Sequence, residues 1–155
     1  SREDESKERR VQASRVNAWG EKQAGADDVL VTANRSLDPV VAWTFLNDAA
    51  RRDVRSKEVT YVYFGVVPPC TAVRIPKSVL YSRASERHPG PDTGWKVRGL
   101  HFATSEGTMW VRWNAGGGLL METNDRPAAI RPDDLGLVAD RQAKITPLTE
   151  CGATK

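Results

Sequence analysis

The residue types that most often announce catalysis or metal binding are scarce in this chain. Of 155 residues only two are histidine and two are cysteine. His88 and His101 stand alone, with no cysteine and no second histidine at the spacing a zinc site requires, so neither a metal nor a cofactor is expected. Gly116, Gly117 and Gly118 form a run with no Lys-Ser or Lys-Thr after it, which reads as a turn and excludes a phosphate loop. No window of roughly 18 apolar residues occurs, so no membrane span is read in the sequence. The charge excess is small as well, 23 basic against 20 acidic side chains, for a net +3 and a pI near 9.0. A dedicated nucleic-acid binder concentrates far more positive charge, and this balance points only faintly to acidic partners.

Cysteine usage is equally sparse. Cys70 and Cys151 are too few for a disulfide framework, and a lone bridge from Cys70 to a weakly patterned C-terminal tail is less expected than two free thiols.

What the chain does have is a series of short β-prone runs. The densest covers residues 95–122 and contains three of the five tryptophans. It reads as a strand over 96–103, a tight turn over 104–108, a second strand over 109–113, a glycine turn and a short third strand, which together make a β-meander. Period-two alternation puts Leu100 and Phe102 on one face of the first strand. In the second, Trp110 and Arg112 share a face, and Met109, Val111 and Trp113 occupy the other. Large apolar groups fall on both faces, so one face meets the core and the other needs a cover, for which Trp19 is the candidate. A core-facing Arg112 must find a carboxylate or several carbonyls, with Asp28, Asp38 and Asp92 as candidate partners.

Upstream, residues 1–25 read as a charged helix with a thin apolar stripe of Val11, Val16 and Trp19, ended by Gly20 or Gly25. The runs 29–33 and 40–46, joined by a polar turn ending in Pro39, read as a hairpin. Residues 58–67 are the most β-prone stretch, with Gly65 permitting a bulge and Pro68-Pro69 ending the strand. Residues 70–76 form a shorter strand with Thr71, Val73 and Ile75 on one face, and 82–94 form a surface loop. Beyond residue 122 periodicity fades. Asp133 is placed to cap a short helix through Val138, and the last fifteen residues or so are expected to be poorly ordered. The expectation is therefore a mainly β protein, an immunoglobulin-like antiparallel β-sandwich of about seven strands over residues 26–123, preceded by a helix over 1–25 and followed by a tail over 124–155 that is partly ordered at most.

The order of three short elements resembles a pattern recurring in actinobacterial proteins of unknown function. Asn34, Ser36, Pro39 and Val40 match its first turn, Pro68, Pro69 and Thr71 its second, and Phe102, Gly107, Trp110, Arg112, Gly118 and Leu119 its meander. Cys70 replaces the glycine usual in the second turn, and Ala103-Thr104-Ser105 replaces a Thr-Asp pair, which removes any role for that acid. The resemblance covers about residues 10–122. It implies a transmembrane segment upstream, outside this chain, then a basic juxtamembrane stretch holding Lys7, Arg9, Arg10 and Arg15, then a small sandwich. The positive-inside rule would then put the sandwich in the cytoplasm, at the inner face of the plasma membrane, in agreement with two reduced thiols.

Three functions compete. The leading one is a non-enzymatic module that binds another protein, with Trp19, Phe102, Trp110 and Trp113 as structural anchors and Arg51, Arg52, Arg55 and Arg112 as candidate anion or ligand contacts. The second is a nucleic-acid-binding domain, with Arg51, Arg52, Arg55, Arg83 and Arg87 on phosphates and Tyr61, Tyr63 or Trp113 as stacking platforms. The third is a hydrolase pairing His101 or His88 with Glu106 or Asp92.

Overall fold

After residue 16 the apolar residues gather in short β-prone runs, several of them alternating, and the chain answers with strands rather than helices. The computed structural model describes residues 2–23, 26–48, 60–81, 95–113, 119–123, 137–139 and 143–152. After the helix α1 (Arg2–Ser14) come β1 (Val16–Gln23), β2 (Ala26–Asn34), β3 (Val40–Asp48), β4 (Thr60–Val67) and β5 (Thr71–Pro76). Beyond a 3-10 turn at Lys77–Val79 follow β6 (Leu80–Tyr81), β7 (Trp95–Thr104), β8 (Met109–Trp113), β9 (Leu119–Thr123), β10 (Leu137–Ala139) and β11 (Lys144–Pro147).

These strands form two sheets. The smaller runs β1-β2-β5-β11 and the larger β6-β10-β4-β3-β7-β8-β9. All pairings are antiparallel except β10 against β4. One core lies between the sheets, with Val16, Ala18, Leu30, Val73 and Ile75 from the smaller meeting Val40, Leu46, Val62, Leu100, Phe102 and Trp110 from the larger. The protein is a β-sandwich with an N-terminal helix, as the period-two runs imply. Eleven strands among the described residues exceed the seven expected because β1, β10 and β11 lie in segments read as helix or tail and the two-residue β6 adds a fourth.

The helix stops at Ser14, not near Gly25. Ser14 Oγ donates to Val11 O at 2.6 Å, and the next residues send Val16 and Ala18 inward and Asn17 and Trp19 to the other face. That alternation suits a strand pairing with β2, and tertiary pairing overrides the helical propensity of the charged run. Leu137–Ala139, expected in a short helix, instead enters the larger sheet between β6 and β4. The C-terminal residues are docked too, because β11 pairs with β5 and Cys151 is bonded to Cys70. The two thiols expected to be free are a disulfide with Cα atoms 5.3 Å apart.

β2 and β3 do not form the expected hairpin. They lie in different sheets, and the turn between them carries the chain across the core. Its polar side chains explain why. Asn34 and Ser36 are fully buried. Asn34 Nδ2 donates to Asp38 O at 2.7 Å, Val67 O at 3.1 Å and Pro68 O at 3.2 Å, and Asn34 Oδ1 accepts from Ser36 N and Ser36 Oγ. A turn whose side chains saturate the end of β4 cannot also fold β2 back onto β3. Deeper in the core, Thr32 and Thr44 join the sheets through a 3.1 Å hydroxyl contact.

Candidate functional site

Arg112, on the core side of β8, illustrates how the structure answers a half-buried cation. Its Nε donates to Val16 O at 3.0 Å and its Nη2 to Ser14 O at 2.9 Å. No carboxylate takes part in these bonds. The partners are backbone carbonyls at the point where α1 ends and β1 begins, where helix carbonyls lack intrahelical donors and carry partial negative charge. Burial lowers the Arg112 pKa from its ordinary value, and an arginine remains charged at neutral pH all the same. With both donors engaged, the side chain ties the helix-strand junction to the larger sheet. Arg10 repeats the device from the helix, donating from Nη2 to Leu120 O on β9 at 3.0 Å.

Trp19 does not cover the larger sheet. It stands on the outer face of the smaller one, against Val29, Val31, Ala33 and Ala72, with Leu148 from the C-terminal segment on the same cluster. The Arg35 guanidinium lies 5.8 Å from its ring centroid, within cation–π range. Trp19 Nε1 donates to Glu21 Oε1 at 3.3 Å, and Arg74 reaches both Glu21 oxygens at 3.3 Å. Hydrogen bonding from Arg74 is the main reason the Glu21 carboxyl titrates below its ordinary 4.5. Phe102 and Trp110 are core residues. The Trp110 indole N–H is buried without a hydrogen-bond partner, so its contribution comes from packing.

The outer face of the larger sheet is different. Register places Tyr63, Trp43, His101, Val111 and Met121 side by side on β4, β3, β7, β8 and β9, and Tyr61, Phe45, Gly99 and Trp113 in a second row. Gly65, with φ 76, sits at the bulge between β4 and β3 that keeps the tyrosines on this face. Trp43 and Tyr63 are 5.9 Å apart at their centroids, Phe45 and Tyr61 likewise 5.9 Å, and Phe45 meets Trp113 edge-on at 4.8 Å. Phe45 lies across Gly99, where an added Cβ would overlap its ring and the Arg112 carbonyl. This close approach is what the glycine permits. Phe45 is thereby buried, while Trp43, Tyr61 and Tyr63 stay half-buried and Trp113 and Met121 are 42% and 49% exposed. Desolvation raises the Tyr61 pKa above its ordinary 10.0.

His101 lies beneath this face at 7% exposure, whereas Glu106 is exposed on the β7–β8 turn. Glu106 helps line a groove of about 710 Å³ between α1 and residues 36–38, together with Glu5, Glu8, Arg9, Gln12 and Asp38. Its charges are of both signs, so the groove has no single-sign field. Among the described residues no three histidine, cysteine, aspartate or glutamate side chains come together as a metal site. Arg51, Arg52, Arg55, Arg83, Arg87, His88 and Asp92 lie outside the described residues.

Alternation in 58–67 and in 109–113 was enough to find Tyr61, Tyr63 and Trp113. Trp43 and Phe45 were missed as site residues because their partners depend on strand order, which short-range patterning does not contain. No described helix is long and apolar enough to cross a membrane. Comparison with protein-family models, with curated proteins and with solved structures finds no match.

Proposed function

We propose that this β-sandwich is a non-enzymatic module that binds a protein partner through the outer face of its larger sheet. The observation that carries the reading is the paired rows of aromatics, Tyr63–Trp43 and Tyr61–Phe45–Trp113, partly exposed except for the buried Phe45, set on a sheet whose other face fills the core. Tryptophan, tyrosine and methionine are the residues enriched at protein interfaces, and a sheet holds them with little ordering entropy left to lose. The Cys70–Cys151 bond supports placing the module in an oxidising compartment rather than in the cytoplasm, since the reduced thiols that favoured the inner face are bonded to each other. A membrane tether upstream remains part of the proposal as the family resemblance implies it; we place the sandwich on the oxidising side, giving the disulfide more weight than the orientation that Lys7, Arg9, Arg10 and Arg15 favour under the positive-inside rule.

The test compares the wild-type chain with Trp43→Asp/Trp113→Asp in cross-linking from the native source, with near-ultraviolet circular dichroism to verify the fold. Partners captured by the wild type should be lost from the double variant. Capture of the same proteins by both would sink the reading. Electrophoretic mobility of the protein purified without reductant, before and after alkylation, reports whether the bond exists in the native compartment.

Nucleic-acid binding is the second reading, because the three candidate stacking residues, Tyr61, Tyr63 and Trp113, share one sheet face. Anisotropy titration of labelled oligothymidine at low salt separates the two. Binding that falls steeply with salt and disappears in Trp113→Ala favours it.

A further inference from the structure

We infer that residues 143–152 are a strap whose closure on the smaller sheet depends on the Cys70–Cys151 bond, so that reduction by a dithiol opens the edge of that sheet while the sandwich stays folded. This inference is independent of the aromatic face. The strap's non-covalent hold is slender. β11 contributes four residues opposite β5, Lys144 to Arg74, Ile145 to Val73, Thr146 to Ala72 and Pro147 to Thr71. Pro147 has no N–H for the ladder. Ile145, the one large apolar side chain of the strand, is 55% exposed. Of the strap's other apolar side chains, Leu148 joins Trp19 on the patch of Val29, Val31, Ala33 and Ala72, and the small Ala143 packs on the main core.

The remaining contacts gather around the bond itself. Leu148 N donates to Cys70 O at 2.8 Å, Gly152 N to Arg35 O at 2.7 Å, and Cys70 N to Ser36 O at 3.2 Å. Cys70 has φ 55, the left-handed region where glycine is the comfortable residue. A cysteine in that conformation is explained by what its sulfur holds. Both cysteines are partly exposed, so a reductant can reach them. In the reaction a dithiol's two sulfurs join to each other, giving up two electrons and two protons, and Cys70 and Cys151 become thiols. The opened β5 edge presents unpaired N–H and C=O groups beside an apolar patch, a template for strand addition.

Hydrogen exchange on the full chain, with and without dithiothreitol, tests the inference. Reduction should speed exchange of the β5 amides within 71–74 that face β11, and of the amides of 144–152 other than Pro147, at least tenfold and leave β3 and β7 unchanged. Cys70→Gly, which suits φ 55, should show the same opening without reductant. Unchanged protection of 144–152 in both experiments would mean that the non-covalent contacts suffice. Loss of protection across β3 and β7 on reduction and in Cys70→Gly would mean that the bond supports the whole fold. Either result overturns the strap.

Discussion

The two sheets have outer faces built by opposite means. On the smaller sheet the apolar residues are small, Val29, Val31, Ala33 and Ala72, and they are finished by pieces brought from both ends of the chain, Trp19 from one and Leu148 from the other. Charges complete the cover, with Arg74 on Glu21 and Arg35 over Trp19. On the larger sheet the residues are large and aromatic, and they cover one another: Phe45 is buried by its neighbours, while Trp113 and Met121 are left 42% and 49% exposed. A face of small residues needs a separate lid to exclude water. A face of large rings shields its own backbone and keeps apolar surface to offer. The difference teaches where to look for a partner, and it can be tested from each side.

The largest effect is expected from removing the lid's covalent anchor. Cys151→Ser frees an 81-residue separation from its constraint and should lower unfolding free energy by about 2–5 kcal/mol, read from urea denaturation. A stability equal to wild type would show that the cover of the smaller sheet holds itself. Next comes Gly99→Ala, where the new Cβ would meet Phe45 Cε1 at 2.8 Å. Overpacking of this kind lowers stability by about 1–3 kcal/mol, and it should also perturb the fluorescence of Trp113, which touches Phe45 edge-on.

Trp113→Ala is expected to cost less stability, on the order of 1 kcal/mol, because the ring is exposed on one side and loses chiefly an edge-to-face contact. Its effect on partner binding should exceed its effect on folding. A variant that binds as well as wild type would count against the open face as the interface.

The smallest expected effect lies on the covered face. Glu21 has a folded pKa below its ordinary 4.5, so its ion pair stabilises the fold at pH above that value and the contribution is lost as pH falls through the lower, folded pKa. Glu21→Gln should therefore flatten the acid side of the stability profile slightly and leave stability at pH below the folded Glu21 pKa close to wild type. Exposed pairs of this kind contribute under about 1 kcal/mol. A larger loss at neutral pH would show that Trp19 depends on Glu21 for its place.

The central meander was legible because each strand declares itself by alternation, and β7, β8 and β9 follow in order with short connections. The same rule located β4 and β5, and Gly65 as the bulge. It failed where one residue pattern serves two purposes. The 34–39 turn has hairpin chemistry, yet Asn34 spends its amide on Val67 and Pro68, a contact 33 and 34 residues away that local sequence does not contain. Arg112 was recognised as a cation in need of an answer, but Ser14 and Val16 carbonyls are anonymous in sequence because every residue has one. The disulfide was missed for a related reason. The C-terminal tail has little periodicity, and only its docking by β11 makes Cys151 a neighbour of Cys70. Of the open face, the tyrosines and Trp113 could be found from alternation, whereas their assembly with Trp43 and Phe45 required the strand order.

The position of β10 and β11 has a consequence for how the protein is made. β10 fills the place between β6 and β4 in one sheet, and β11 closes the edge of the other. Both sheets are thus completed by residues 137–147, which leave the ribosome after every other strand among the described residues. During synthesis the β3-β7-β8-β9 block can pair as it emerges, while β4 waits with an open flank and β5 with a bare edge. A translating ribosome stalled before residue 137 would carry a half-built sandwich, and the final pairing would coincide with the arrival of Cys151 beside Cys70.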